Sequence, residues 1–477
     1  MTSNVLVICS DQHWRDAAGC YGHPLVLTPN IDALARRGTV FDVAYSAAPI
    51  CVSARAAMQT GRWVHQLGTW SSAEPYDGSF RGWGHRLQEE GRRVESIGKL
   101  HFRSSEDDNG FTQEIIPVHI LNGTGFTSSM VRDGLESYAS NADFALDIGR
   151  GESRYTRYDR KVTELACSWL GDVAPGTDQP WTLFCSFVAP HHPIVAPDTF
   201  HDLYDRRQID LPRLRAPGER PDHPVLDVCQ TIWDYDRHFR DDDHVVEARH
   251  AYYGYVSFLD DNVGRVLTAL EASGEADNTL VIYVSDHGEM LGNHGMWAKM
   301  NMYEESSAVP LIAAGPGMPS GQRCASPASH IDLQPTILKA HGLDGAGGLD
   351  GVALQDLAAG GHHDRAVLSE YHERGAVTGM FMMRWRNWKY VAYPGFAPQL
   401  FDMADDPVES ADLGRHPSHD ATRAACEERL GAIVDCEAVN RRCFADQARK
   451  IAELGGREAA MEDGGHAYTP MPDVSLQ

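Results

Sequence analysis

Five short apolar runs, each followed by a helical pattern or a turn, constrain this chain more than any other feature. They are Val5-Leu6-Val7-Ile8-Cys9, Arg93 to Ile97, Trp181 to Val188, Thr279 to Val284 and Val309 to Ala314. The clearest helix runs from about Val245 to Ala272, with Tyr252, Val256, Leu259, Val263, Val266, Leu267 and Leu270 near helical spacing. Strands alternating with helices predict an α/β fold, with a large mixed, mostly parallel central sheet flanked by helices. After about Gly345 the pattern changes. A glycine-rich stretch (Gly345 to Gly351) precedes Ala366 to Tyr371, Phe381 to Trp385 and Trp388 to Tyr393, which read as a smaller antiparallel sheet. A helix near Asp420 to Val434 and a polar tail from Pro470 to Gln477 complete the chain. The expected division is therefore an α/β domain over 1–350 and a C-terminal α+β subdomain over 351–477.

The 477 residues are 42% hydrophobic and 23% charged, enough apolar material for a large core. The net charge of −25 would repel nucleic acid and anionic membranes, which argues against both as partners. No apolar run is long enough to span a bilayer. Met1-Thr2-Ser3-Asn4 leads straight into a strand, without the pattern of a signal peptide, and the ten cysteines form no CxxC pair. A cytoplasmic location with reduced thiols is the expectation. Two stretches, about Arg103 to Gly151 and about Tyr204 to His244, look like insertions that serve as substrate loops.

Polar residues collect just after the strands. Asp11-Gln12 follows the first, Gly98-Lys99-Leu100-His101 the second, Pro190-His191-His192-Pro193 the third and Asp286-His287-Gly288 the fourth. Ligands of open α/β sheets bind at this carboxyl edge. A carboxylate at the end of an apolar strand is costly unless a cation pairs with it, although a single Asp there can equally cap a helix. Asp11, Gln12, Asp286 and His287 offer three oxygens and an imidazole, a set suited to Ca²⁺ or Mn²⁺ more than to structural Zn²⁺. Cys51 sits at a helix start with Arg55 four residues on, where amides and cation would favour an anion at sulfur. A lone cysteine in such a place otherwise packs as a small hydrophobe. Lys99, His101, Lys299 and Arg55 can give positive charge to an oxyanion, though each alone reads equally as a surface residue. One of His191 and His192 can be a general acid for a leaving alkoxide. Together these make a hydrolytic site for a tetrahedral anion.

Those residues, with Thr28 to Gly38, Cys51 to Gly61, Trp297-Ala298-Lys299-Met300, His330 to Thr336 and Gln399-Leu400-Phe401-Asp402, resemble the sulfatase family of the alkaline phosphatase superfamily. The runs Gly98 to Phe102 and Trp297 to Met300 look most like its choline sulfatase and phosphonate monoester hydrolase branches. The resemblance implies an alkaline phosphatase-like catalytic fold and oxidation of Cys51 to formylglycine, whose hydrate is the nucleophile. It implies that Asp11, Gln12, Asp286 and His287 bind one divalent metal together with residue 51, and that Arg55 holds that side chain. Lys99 and Lys299 would bind the sulfate or phosphonate oxygens. His101 would take a proton to collapse the covalent intermediate, and His191 would protonate the leaving oxygen.

Two positions depart from the family pattern. Ser53 stands where Pro or Ala is usual, and Trp70-Ser71-Ser72-Ala73 replaces a stretch that often carries Asp-Asn-Ala, so one substrate contact is expected to be lost. Because Cys51 and Arg55 keep their spacing, conversion by a formylglycine-generating enzyme is expected. The expected reaction is hydrolysis of a small sulfate ester. A phosphonate monoester or phosphodiester hydrolase using the same site is the alternative, and an inactive binding relative a third reading. Trp83, Trp233 and Tyr235 could suit a cationic alcohol, although such residues more often just pack. The tail is expected to cross to a neighbour in a homodimer or tetramer.

Overall fold

The computed structural model describes residues 2–344, 348–462, 469, 471 and 472. The start of the glycine-rich stretch (345–347), residues 463–468 and most of the tail from Pro470 onward lie outside the described residues, as does any crossing of that tail to a neighbour.

Eight strands form the main sheet. In chain order they are β1 (Asn4–Ser10), β2 (Thr39–Phe41), β3 (Arg93–Lys99), β4 (Gln113–Val118), β5 (Trp181–Ser186), β6 (Thr279–Ser285), β7 (Leu311–Ala314) and β8 (Gln322–Cys324). Their spatial order is β8-β2-β7-β6-β1-β5-β3-β4. All pairs are parallel except those made by β7, which runs against both β6 and β2. β1 is buried along its whole length, as a central strand covered on both faces must be. Its side chains alternate between layers. Leu6 and Ile8 join Leu183, Tyr255 and Leu259 on one face, while Val5, Val7 and Cys9 join Met58, Leu333 and Ile337 on the other.

Helix α1 (Pro29–Arg37) opens with proline, whose missing N–H costs nothing in a first turn. Helix α2 (Cys51–Thr60) is buried at every position and ends on Gly61, whose φ of 64° suits a left-handed cap. Helices α3 (Arg154–Asp172) and α4 (Asp242–Ala272) cover one face, and α5 (Leu333–Ala340) lies on the other beside α2. α4 starts earlier than its apolar spacing predicts. The Asp241 carboxylate accepts from the His244 N–H at 2.8 Å, so two further acidic residues enter the first turn, where the helix dipole favours them.

The C-terminal sheet is a four-stranded antiparallel meander of β9 (Ala366–Tyr371), β10 (Met380–Trp385), β11 (Trp388–Ala392) and β12 (Gln399–Asp402). Phe381, Met383 and Leu400 from it share a core with Tyr252, Trp297 and Met300 of the main body.

Several expectations need correction. The stretch from Arg103 to Gly151 is not wholly an insertion, because it contains β4, an edge strand whose Pro117 and half-exposed face hid its pattern. The run from Val309 forms a strand only from Leu311, since Pro310 has no N–H to give the ladder. The last expected helix ends at Gly431 as α6 (Asp420–Gly431), and a second, α7 (Cys436–Glu453), follows it. α7 buries a thin stripe of Val439, Cys443 and Gln447 among charged residues, too narrow to mark it in the sequence. Among the described residues, no helix is long and apolar enough to cross a membrane.

Candidate active site

Strand register assembles the site. Ser10 of β1 pairs with Ser285 of β6, so Asp11 and Asp286 leave adjacent strand ends side by side. The Gln12 N–H donates to Asp286 Oδ1 at 3.1 Å and the Asp286 N–H donates to the Ser10 carbonyl at 3.2 Å. Asp11, Cys51, Asp286 and His287, all buried, offer ligand atoms within 4.8 Å of one another.

The donor set fits a divalent cation. His287 Nδ1 lies 3.0 Å from the Gly288 carbonyl, which can only accept, so the Nε2 lone pair points inward. That Nε2 lies 3.6 Å from Asp11 Oδ1 and 3.7 Å from Asp286 Oδ1. Neither His287 Nε2 nor Asp11 Oδ1 has a hydrogen-bond partner, although both are buried. Buried lone pairs facing each other without a donor are costly unless a cation lies between them. Burial holds His287 neutral, with its pKa pushed down to about 4. Burial also opposes ionisation of Asp11, but Lys99, His191, Arg55 and His287 outweigh it and hold the carboxyl well below its usual range.

The Arg55 guanidinium ties the strand ends together. Nε donates to Asp286 Oδ2 at 2.8 Å, and Nη1 donates to the Lys99 carbonyl at 2.8 Å and to Ser186 Oγ at 2.9 Å. Its charge thus serves Asp286 first. The expectation of an anionic sulfur at Cys51 is corrected accordingly. The thiol is only 5% exposed, and burial pushes its pKa up despite Lys99 and Lys299. An unmodified Cys51 is a poor nucleophile here.

Lys99 pairs with Asp11. Lys299 Nζ donates to Gln12 Oε1 at 2.5 Å and to His191 Nε2 at 2.8 Å. His191 Nδ1 faces the His192 carbonyl at 2.6 Å, which fixes the tautomer. Burial, reinforced by Lys299, drives the His191 pKa well below normal. His101 is likewise neutral, through burial and Lys99, and its Nε2 lies 3.0 Å from Thr469 Oγ1. The nine residues other than Cys51 expected from sequence, Asp11, Gln12, Arg55, Lys99, His101, His191, Asp286, His287 and Lys299, are therefore all brought to one place around it. Non-glycine residues with positive φ cluster there too: Gln12 at 66°, His101 at 57°, Ala298 at 60° and Met300 at 77°.

Sequence reasoning missed the residues that hold these in position. Glu289 accepts from Gln12 Nε2 and from the Leu291 and Ala298 N–H groups. Asp159 accepts from the Val188 and Ala189 N–H groups, just before the turn that carries His191. The Glu in Asp286-His287-Gly288-Glu289 was a readable signal, being a second carboxylate three residues after Asp286 and directly before Met290-Leu291. Asp159, on a helix remote in sequence, had none.

Beside the two lysines lies a chamber walled by aromatic rings. Tyr138 stacks on Trp233 (centroids 5.1 Å apart) and Phe144 on Tyr235 (4.4 Å). At its side sits Glu373, 3% exposed, whose carboxylate accepts from the N–H and the hydroxyl of Ser72 at 2.8 and 2.9 Å. Ser72 therefore serves the chamber's carboxylate. Trp233 and Tyr235 line the chamber, but Trp83 does not. Its ring packs against Phe111 and Phe184 and its N–H goes to the Met58 carbonyl.

The profile of the sulfatase family matches residues 3–343. The chain belongs to the sulfatase family. This sulfatase also matches the profile described as N-sulphoglucosamine sulphohydrolase, C-terminal, over residues 292–435. It is 30% identical to the choline-sulfatase of Rhizobium meliloti (strain 1021), over 99% of this chain and 94% of that protein. It is 28% identical to arylsulfatase K of Homo sapiens, over 86% and 78%. Among solved structures, the phosphonate monoester hydrolase of Agrobacterium radiobacter superposes with a TM-score of 0.73 at 23% identity, covering 90% of this chain and 95% of that one. The fold is thus the sulfatase fold, the protein is a sulfatase-type ester hydrolase, and its family is metal-dependent.

Proposed function

We propose that this sulfatase hydrolyses a small sulfate ester of a cationic alcohol, through residue 51 converted from cysteine to formylglycine. One observation carries the catalytic part. The unpartnered lone pairs of His287 and Asp11 converge beside Cys51, with Lys99 and Lys299 reaching the same place. Asp11, Gln12, Asp286 and His287 would hold a divalent ion, with Ca²⁺ or Mn²⁺ matching the oxygen-rich set. The ion and the hydrated aldehyde would supply an activated hydroxyl that no unmodified side chain here provides.

The remaining work falls to the chain's own residues. Lys99 and Lys299 bind the anion's oxygens and offset the charge that develops on them. When a sulfate oxygen takes the hydrogen bonds of Lys299, its field on His191 weakens. His191 Nε2 can then hold the proton that it passes to the leaving oxygen. His101, neutral and held by Thr469, accepts the proton whose removal releases the bound anion.

The alcohol half of the substrate is argued from the aromatic chamber. Stacked rings present negative faces, and a buried carboxylate beside them completes a cage for an ammonium group. The choline-sulfatase relative is named for the ester of such an alcohol.

The test is a kinetic panel of choline sulfate, a neutral aryl sulfate, a phosphonate monoester and a phosphodiester, run with intact-mass analysis of the Cys51 peptide. The reading requires the aldehyde mass, loss of turnover on chelation, and highest kcat/KM for the cationic sulfate. Preference for the phosphonate would transfer the site to that chemistry. A cysteine mass in fully active enzyme would overturn the nucleophile.

A further inference from the structure

A second group of ligating side chains lies away from the active site, where the excursion that contains residues 204–244 leaves the body. His201 closes the short helix Asp198–His201, while Glu247 and His250 stand three residues apart on one side of α4. Ligand atoms of these three residues lie within 4.8 Å of one another.

The protons are arranged as in a metal site. His250 Nε2 lies 3.0 Å from the His201 carbonyl. A carbonyl only accepts, so Nε2 carries the hydrogen and Nδ1 keeps its lone pair. That Nδ1 is buried without a hydrogen-bond partner, while His201 turns Nε2 toward Glu247 and leaves its Nδ1 on the side of the Asp202 carboxylate, 3.7 Å away. A backbone carbonyl that fixes the tautomer of a ligating histidine is the usual outer support of such a site. The two histidine residues are 7% and 6% exposed, with ring centroids 4.0 Å apart.

His201 Nε2 and Glu247 Oε1 are 3.1 Å apart. Two ligands of one tetrahedral zinc, with bonds of about 2.0 Å, stand about 3.3 Å apart. Arg206 approaches the other carboxylate oxygen, Oε2, at 3.6 Å and leaves Oε1 toward the histidines. Glu247 is 28% exposed, so an ion can enter from solvent.

We propose that His201, Glu247 and His250 form a second metal site, for a borderline transition ion such as Zn²⁺. Two imidazoles and one carboxylate are a softer set than the oxygen-rich catalytic cluster, so the two sites select different ions. An ion here joins the start of the 204–244 excursion to the 31-residue α4, the longest helix under the sheet. The ion would add coordinate bonds to the contacts that already join these segments, the His201–Glu247 and Arg206–Glu247 pairs and the His250 bond to the His201 carbonyl.

The test uses full-length protein carrying Asp286→Ala, so that the catalytic cluster cannot compete. After chelation, Zn²⁺ is titrated calorimetrically and Co²⁺ by visible absorption. The expected result is one tight Zn²⁺ per chain and the absorption of nitrogen- and oxygen-bound Co²⁺. Adding His250→Ala or the milder Glu247→Gln should weaken binding by about tenfold or more and remove the Co²⁺ band. In otherwise native enzyme, Glu247→Gln should leave turnover in zinc-free buffer unchanged. No tight Zn²⁺ in the Asp286→Ala protein, or equal binding after Glu247→Gln and His250→Ala, overturns the site. Neither result touches the catalytic reading, which has its own readouts.

Discussion

Glu289 accepts a hydrogen bond from the side-chain amide nitrogen of Gln12 at 2.5 Å, and this decides which end of that amide faces Lys299 and the proposed metal ligands. A cation needs the amide oxygen, and an amide left free can present either end. Glu289→Gln keeps the volume but can donate to Gln12 and turn it. The expected outcome is metal affinity weaker by about 10- to 100-fold, with turnover recovered at high metal concentration. Unchanged affinity in a direct metal titration would reduce Glu289 to a loop anchor.

His191→Ala should separate substrates by leaving group. A nitrophenolate leaves without a proton, whereas an alkoxide needs one. Turnover of an alkyl sulfate should fall by about 10²- to 10⁴-fold, and that of nitrophenyl sulfate far less. Equal losses on both would assign His191 to anion binding alone.

Glu373 gives a pH signature. Burial pushes its carboxyl up to about 7, against about 4.3 in an unfolded chain. The folded state therefore holds a proton that the unfolded state has lost. The stability that this proton contributes is complete below about pH 4.3 and disappears as pH rises to about 7, a difference on the order of 3 kcal/mol. Glu373→Gln, which cannot ionise, should gain in Tm over the wild type between pH 5 and pH 8. In the wild type, KM for a cationic ester should fall between pH 6 and pH 8 as the carboxylate forms, while KM for a neutral aryl sulfate holds steady. Parallel pH profiles for the two esters would remove Glu373 from substrate recognition.

Thr469→Val tests the hydrogen bond to His101 with little change of shape. If His101 serves the release step, steady-state turnover should drop by about tenfold while a pre-steady-state burst of alcohol persists. Loss of the burst together with turnover would place the defect before the first transfer.

Much of this was legible in the sequence. Asp11 and Asp286 each follow a run of buried aliphatic residues, and carboxylates in that position have few explanations. The parallel sheet showed itself through the same runs. What the sequence hid had physical causes. β4 lies at an edge and buries little, so it carries no apolar signature. α7 offers the core only a narrow stripe. Glu373 and Thr469 reach the site from the far end of the chain, through contacts that no local pattern encodes. The charge at Cys51 was misread because Arg55 looked free for the sulfur, whereas in the fold its strongest contact is the carboxylate of Asp286.

The pairing of Ser10 with Ser285 also sets a schedule for synthesis. A nascent chain that has emerged as far as residue 62 already carries Asp11, Gln12, Cys51 and Arg55. It lacks the second carboxylate and the imidazole until more than two hundred further residues have followed. No fragment short of that length can bring the two carboxylates and the imidazole together, so the growing polypeptide carries Cys51 for a long interval before the rest of the cluster exists to enclose it.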